Sequence, residues 1–505
     1  MASRPLSRPN SLLPVIFGVL ALLVGAGSGL LVMGISSPMR VLLLTMGITA
    51  FVATVTQIRW GLLVVIFIIY TRFSDVAVKF HGVSSVAKSF ILVLLLAIVI
   101  RWILRAERPT GWVRPALLIA GYGAVGFASL LYAADFNQAL SAALEFVKDG
   151  VIAVVVIFLL QSGAMFRRVI WTLLLAGIFM GTLSVYQYAT GTFNNNYWGF
   201  AQAPLQNIVG QTSDHRSSGP IGDPNYYAQM MLVLVPLALD RVWNERQRRM
   251  KLLAVWALAV SSLAIVFSFS RGGFIALLVM LGAMLAYRRQ RPINWLIALA
   301  IGLVLLQFVP ATYTQRLQTI VEIIPGFGNG VTTTGPNEAS LRGRTSELIV
   351  AVQMFADRPI LGVGLGNYSF YYQSYSRRLG MDPRVEPREA HNLYLEVAAE
   401  TGLLGLSMFG ILLWVMFTGI LRARNLLVAA KLTRYLDMIS AYTFSLVGYL
   451  TASLFIHAAY PRYLWLLVGI ALAIPRVAQH ELAEHLRAQH EQAEHLRARH
   501  EQAEA

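Results

Sequence analysis

Cysteine is absent from all 505 residues. The chain can therefore form no disulfide, offers no thiolate nucleophile and has no thiolate for a metal. Charge is scarce as well: Asp, Glu, Lys and Arg together make 13% of the residues, where a soluble protein has about 25%. Acidic residues are the scarcer sign, 25 against 41 Lys and Arg. The remainder is apolar, with 56% in the hydrophobic set and a mean hydropathy of +0.60. Such a chain is not a cytosolic globular enzyme, a disordered polymer or a disulfide scaffold. Its composition is that of an all-α polytopic membrane protein.

A spanning helix needs about 20 apolar residues. Segments near 12–34, 39–56, 58–73, 89–105, 114–132, 138–161 and 166–189 meet or approach that length, as do 225–243, 251–269, 272–288, 293–310, 395–421, 434–457 and 461–476. The expectation is about 12–14 transmembrane helices, with 39–56 and 58–73 short enough to form a bent or partly re-entrant pair. The first segment follows Arg4 and Arg8, and its apolar run is too long for a cleaved signal, so it reads as an anchor. Lys and Arg are retained on the cytoplasmic side of short loops. With both termini inside, clusters such as Arg101/Arg105/Arg108, Arg167/Arg168, Arg246/Arg248/Arg249 and Arg288/Arg289/Arg291 all fall on that side. The net charge of +16 is therefore mainly a topology signal and an attraction to anionic membrane lipids, with no nucleic acid as partner.

The expected organisation is an N-terminal bundle over 1–310 that includes a polar outer loop at 190–224, an outer loop segment over 311–390, C-terminal helices over 391–476 and a tail over 477–505. Within 311–390 a helical stretch runs from Thr345 until Pro359 stops it. In the tail, His480, His485, His490, His495 and His500 recur every five residues. On a helix that spacing turns successive side chains by about 140°, so the tail reads as a solvated cytoplasmic helix, with metal binding or a sensory role as the alternative.

Three polar clusters lie on the expected outer side. Arg216-Ser217-Ser218-Gly219 leads through Gly222-Asp223-Pro224-Asn225 into a spanning segment. A helix start there would favour an anion, although Arg216 on a lipid phosphate accounts for it equally. Ser270-Arg271-Gly272-Gly273 forms the turn between two apolar runs, and its Arg has no acidic neighbour in sequence. It either snorkels to headgroups or meets an anionic ligand. His391-Asn392-Leu393-Tyr394 opens a helix after the long polar segment. That histidine is a structural residue or one that takes a proton near neutral pH. Gly362-Val363-Gly364-Leu365-Gly366 follows no strand, so it reads as a turn permitting close backbone approach and not as a nucleotide loop. The chain shows no acidic pair at metal spacing, no Ser-His-Asp order and no HExxH.

These motifs together resemble the O-antigen ligase superfamily, which includes O-antigen polymerases and pilin O-oligosaccharyltransferases. The family's ligase pattern, His-[Asn/Ser/Gln]-x9-Gly-x-x-[Gly/Thr/Tyr], is met by His391, Asn392, Gly402 and Gly405. Its Ser-Arg-Gly-Gly turn is met at 270–273, and its Arg followed by a Gly…Pro-Asn helix start is met from Arg216 to Asn225. Gly343-Arg344, Arg358-Pro359 and Leu361 to Gly364 also resemble the family's periplasmic segment. The resemblance covers roughly 210–420.

The resemblance implies transfer of a glycan from undecaprenyl diphosphate to an acceptor hydroxyl, most simply lipid A–core, at the periplasmic face of the bacterial inner membrane. Guanidiniums bind phosphate oxygens in bidentate, charge-assisted pairs. Arg216 and Arg271 are then the expected diphosphate residues and His391 the base, with Arg344, Asn392, Asn225 and Tyr394 as substrate-binding candidates. No cofactor or metal is expected, the arginines taking the role that a divalent ion has elsewhere. A polymerase extending lipid-linked repeats shares the same signals. A transporter is the third reading, for which Glu145, Lys148 and Asp149 inside an apolar segment are the relevant residues.

Overall fold

The computed structural model describes residues 54, 57–105, 111–209, 212–287, 336–381, 388–457 and 461–504. Among these, fourteen α-helices and one two-stranded sheet make up the regular structure. The chain divides into two compact units, Met1–Arg108 and Pro109–Ala505. The expected segments 12–34 and 293–310, and nearly all of 39–56, lie outside the described residues. Every other expected segment coincides with a helix.

In the first unit, α1 (Ile58–Tyr70) and α2 (Phe73–His81) meet at a 55° bend. Arg72 forms the break in the left-handed region at φ 51° and pairs with Asp75 at 2.8 Å. The described bend thus lies within 58–81, and nearly all of 39–56, the first member of the expected pair, lies outside the described residues. Gly82, at φ 60°, then turns the chain into α3 (Val86–Arg105). Gly61 lets α1 approach α3, since a Cβ there would lie 2.9 Å from Leu94.

The second unit opens with α4 (Val113–Ala128), α5 (Phe136–Leu159) and α6 (Gly163–Thr190). Asp135 caps α5 by accepting from the Gln138 N–H at 3.0 Å, and Ser162 caps α6. A hairpin of β1 (Leu205–Val209) and β2 (Thr212–His215) lies within the polar loop expected at 190–224. Next come α7 (Pro224–Asn244), α8 (Arg248–Phe267) and α9 (Arg271–Tyr287). Helix α7 is buried at almost every position from Tyr226 to Ala238, as a helix apolar all round must be when neighbours enclose it.

The helix expected from Thr345 begins nine residues earlier: α10 spans Pro336–Asp357. Proline at the first position is compatible with a helix, because its missing N–H has no intrahelical partner there. The end falls just before Pro359, as proline chemistry requires. Helix α11 (Tyr368–Arg378) packs with it around Val350, Met354, Val363 and Tyr372. The last three are α12 (Leu393–Ala429), α13 (Thr433–Ala452) and α14 (Pro461–Glu504). The tail is the continuation of α14, whose Glu481 accepts from the Gly163 N–H at 2.7 Å and whose Arg476 donates to the Phe158 carbonyl at 2.9 Å. These contacts fix the α5–α6 turn from below.

Five of these helices are long and apolar enough to cross a membrane by length and composition, or six with the bent pair counted as one span. The architecture is that of an all-α, multi-pass membrane protein. Segments such as α5 and α7 fall short of that criterion because they carry Glu145, Lys148 and Asp149 or Asp240 and Arg241. Most of these charges are neutralised locally. Lys148 pairs with Glu145 at 2.5 Å, the i,i+3 pair that gives the bland account of that group, and Arg241 pairs with Asp240 at 2.5 Å.

Candidate active site

The polar residues gather where α7, α9 and α12 begin and where α8 and α13 end. Each helix start has a local sequence reason. Asp223 caps α7, accepting from the N–H groups of Asn225 at 2.7 Å and Tyr226 at 3.0 Å. The expectation that these amides await an outside anion is therefore corrected: the chain's own carboxylate takes both. Ser270 caps α9 by accepting from the Gly273 N–H at 3.2 Å, which leaves Arg271 as the first helical residue. The two glycines after Arg271 are there for close approach. A Cβ on Gly272 would lie 2.7 Å from Phe455 and one on Gly273 2.9 Å from Ala228. The left-handed turn conformation falls instead on Phe269, at φ 52°.

Arg216 is 5% exposed and ties three of these elements together. Its Nε donates to the Ser268 carbonyl at 2.8 Å, Nη1 to Gln206 Oε1 at 2.9 Å and Nη2 to Asn225 Oδ1 at 3.1 Å. The guanidinium thus joins the hairpin, the α8–α9 turn and the start of α7. Asn225 takes part as the acceptor of that bond. Next to it, His215 donates from Nδ1 to the Ala203 carbonyl at 2.8 Å and stacks on Phe193, which accounts for it structurally.

Helix α10 brings Arg344 into the same region. Its guanidinium acts electrostatically on Arg271 and on His391, and is itself acted on by Glu347 and Asp223. Residues that lie 73 and 47 positions from Arg344 in sequence thereby form one group with it. Glu347, one turn along α10, is 1% exposed. Its Oε2 lies 3.6 Å from His391 Nε2, and its Oε1 lies 3.6 Å from Arg388 Nη1. Arg344 makes the surroundings of Arg271 more positive, and Glu347 and Asp223 offset the charge at Arg344.

His391 sits in the left-handed region at φ 46°, a conformation that costs a non-glycine residue about 1 kcal/mol or more. The start of α12 holds it there: Asn392 caps the helix by accepting from Tyr394 and Leu395, each at 3.0 Å, and the Leu393 N–H donates to the Ser453 carbonyl at 3.0 Å. Burial first, then Arg344 and Arg388, push the imidazole down to about 4, so it is neutral at neutral pH. Its Nδ1 lies 3.2 Å from Nδ1 of His457, which stands just after α13. Asn392 and Tyr394 look inward: Asn392 Nδ2 donates to Leu454 and the Tyr394 hydroxyl donates to Leu450.

The second half of the ligase-type pattern also has a mechanical reason. Helix α12 breaks at Gly402, where φ is 62° and ψ is −160°, a combination open essentially to glycine alone. The 359–366 turn runs against the break. Val363 and Gly364 donate to the carbonyls of Ala399 and Glu400, each at 2.9 Å, and Leu403 donates back to Pro359 at 2.7 Å. Glu400 accepts from the Gly366 N–H at 2.8 Å and the Tyr368 N–H at 3.2 Å. The Gly362–Gly366 run is thus a backbone-approach turn that locks α10 and α11 to α12.

Of the seven residues singled out in the sequence, Arg271, Arg344 and His391 come together, and Arg216 and Asn225 support them from beneath. Asn392 and Tyr394 build the end of α12. Glu347, Arg388 and His457 were not singled out. Arg388 stands three residues before His391, and His457 is the histidine of the neighbouring outer turn, so adjacency and shared side were the available signals.

No curated protein matches the chain. Residues 256–410, the stretch that contains Arg271, Arg344 and His391, match the family model described as O-antigen ligase.

Proposed function

We propose that the protein transfers a glycan from a polyprenyl-diphosphate carrier, most simply undecaprenyl diphosphate, to a hydroxyl of lipid A–core on the periplasmic face of the inner membrane. The family match supports a role in O-antigen ligation or polymerisation in general. The observation that carries the finer reading is the convergence of Arg271 and Arg344 with a neutral His391. A diphosphate is a dense anion, and a guanidinium meets its oxygens through paired, charge-assisted bonds.

In this reading Arg271 and Arg344 bind the diphosphate and stabilise the charge that grows on it as the glycosyl bond breaks. His391 accepts the proton of the attacking hydroxyl, for which a neutral imidazole is the required form. Arg216, fully engaged with protein acceptors, acts by holding the Arg271 turn. Direct displacement inverts the anomeric carbon. Asn392 serves the site through the cap that holds His391, and Tyr394 through its bond to α13.

The test is transfer by the purified protein in lipid vesicles, with undecaprenyl-diphosphate glycan, a lipid A–core acceptor and a chelator present. A single product in which lipid A–core carries the glycan supports the reading. A ladder of longer lipid-linked glycans without modified acceptor would make the protein a polymerase. Failure with several authentic donor–acceptor pairs, from folded protein, would overturn it.

A further inference from the structure

Two histidines from separate outer turns meet at the site, and only one of them belongs to the ligase-type pattern. His391 precedes α12 and His457 comes after α13, yet their Nδ1 atoms lie 3.2 Å apart with the rings at 61°. Two N–H groups cannot face each other at that distance, so one nitrogen donates and the other accepts. Both rings are held in place from outside the pair. The Tyr226 hydroxyl at the start of α7 donates to the His457 carbonyl, and the Tyr226 ring stands edge-on to His457 at 5.3 Å. On the other side, the Asn392 cap and the Leu393–Ser453 bond fix the left-handed backbone of His391. The left-handed backbone of His391 is thus held from α12 and α13, and His457 is held from α7, which fixes the two rings against each other.

Building on the function proposed above, we propose that His457 is the positioning partner of His391. The two imidazoles form a dyad with one proton between their Nδ1 atoms: His391 keeps that proton and donates it as a hydrogen bond to His457 Nδ1, which leaves the His391 Nε2 lone pair for the acceptor hydroxyl. The balance is complete. The hydroxyl proton goes to His391 Nε2, and the His391 Nδ1 proton stays on His391, donated as a hydrogen bond to the lone pair of His457 Nδ1. The hydroxyl oxygen bonds to the anomeric carbon, and the carbon–oxygen bond to the diphosphate breaks with its electron pair remaining on the diphosphate. His391 leaves the step as an imidazolium, stabilised by its hydrogen bond to His457.

The groups around His391 fit this direction of transfer. From α10, Arg344 and Glu347 face it; from its own loop, Arg388 faces it and Glu389 lies two residues away; from the α13 side, His457 does. The 3.6 Å between Nε2 and Glu347 Oε2 exceeds a hydrogen bond. Arg388 lies as close to the other oxygen of that carboxylate, and Arg344 also draws on it. At that separation Glu347 does not pin a proton on Nε2. Burial and then His391 push His457 down to about 3, below His391, so His457 stays neutral at neutral pH and its Nδ1 can accept the His391 N–H while His391 remains the stronger base.

The experiment compares wild type with His457→Phe, which keeps a ring but no acceptor, and His457→Asn, which keeps an acceptor near Nδ1. Two readouts are taken on the full chain in vesicles: transfer kinetics, and the pH midpoint for carbethoxylation of His391 by diethyl pyrocarbonate, followed by peptide mass. The dyad predicts that His457→Phe lowers the His391 midpoint, because the imidazolium loses its acceptor, and that His457→Asn restores it. It also predicts kcat in the order wild type, Asn, Phe, with a loss on the order of 100-fold for Phe and donor KM within about twofold. An unchanged His391 midpoint in His457→Phe overturns the dyad whatever the activity. If that variant does not fold, His457→Gln, which lacks an acceptor at the Nδ1 position, takes its place. A shifted midpoint with no transfer by wild type would sink the proposed function and leave the dyad standing.

Discussion

At the scale of single residues, the proposed function assigns donor binding to Arg271 and Arg344 and a holding role to Arg216. Arg216 makes three hydrogen bonds to protein acceptors on three different elements. A lysine presents one compact ammonium and cannot reproduce that fork. Arg216→Lys should therefore lower transfer about tenfold or more and also lower the unfolding temperature in detergent, because the turn loosens with the chemistry. Arg271→Lys should lower transfer with no such loss of stability, since Arg271 lies at a helix start beside another cation. The histidine sets the pH dependence. His391 is held down at about 4 by burial, Arg344 and Arg388, so its neutral form persists above that value and is lost as pH falls through it. The rate is then expected to be level from about pH 6 to 8 and to fall on the acid side towards about 4, in a kcat/KM profile. Folding stability has the same sign, because the unfolded histidine takes up its proton near its ordinary pKa of about 6.5 and the folded one resists until about 4.

At the scale of elements, the break in α12 is the feature on which the site's shape depends. A Cβ on Gly402 would lie 2.3 Å from the Ile360 carbonyl oxygen, on a backbone already in glycine territory. Gly402→Ala should destabilise the protein by about 2–4 kcal/mol, read as a lower unfolding temperature, with transfer falling as α10 loses its seat. Asn392→Ala should cost about 1 kcal/mol through loss of the cap, and Asn392→Asp should recover most of it, because the accepting oxygen remains. Most helices at this scale were legible in the sequence, since apolar runs between Arg and Gly punctuation locate them to within a few residues. The hairpin at 205–215 was not: its strands are five and four residues long and carry no clear alternation. Nor was the purpose of Gly272 and Gly273 legible, because Phe455 and Ala228 approach them from distant parts of the chain.

At the scale of the whole molecule, the alternation of basic loops predicts that α11 and the C-terminal tail lie on opposite sides of the membrane. The absence of cysteine makes the test clean. Ser374→Cys, on exposed α11, should react with an impermeant maleimide added to intact cells, and Gln492→Cys, on the exposed tail, should react only after the membrane is opened. Labelling of both from outside would contradict the topology. The candidate site was partly legible at this scale too. Arg271 and His391 stand out as charged or titratable groups at expected outer helix ends. Glu347, Arg388 and His457 did not stand out, because their contact with His391 depends on the path of α10 and on the turn after α13, and neither can be read from periodicity.

The central claim is that arginines hold the donor diphosphate while His391 acts on the acceptor hydroxyl. The most direct measurement is donor binding and glycan transfer in parallel, on vesicles containing wild type, Arg271→Ala and His391→Ala. The account predicts that His391→Ala binds undecaprenyl-diphosphate glycan within about threefold of wild type yet transfers it at least about 100-fold more slowly, whereas Arg271→Ala loses binding and transfer together. Normal transfer by His391→Ala, or undiminished donor binding by Arg271→Ala, would contradict it.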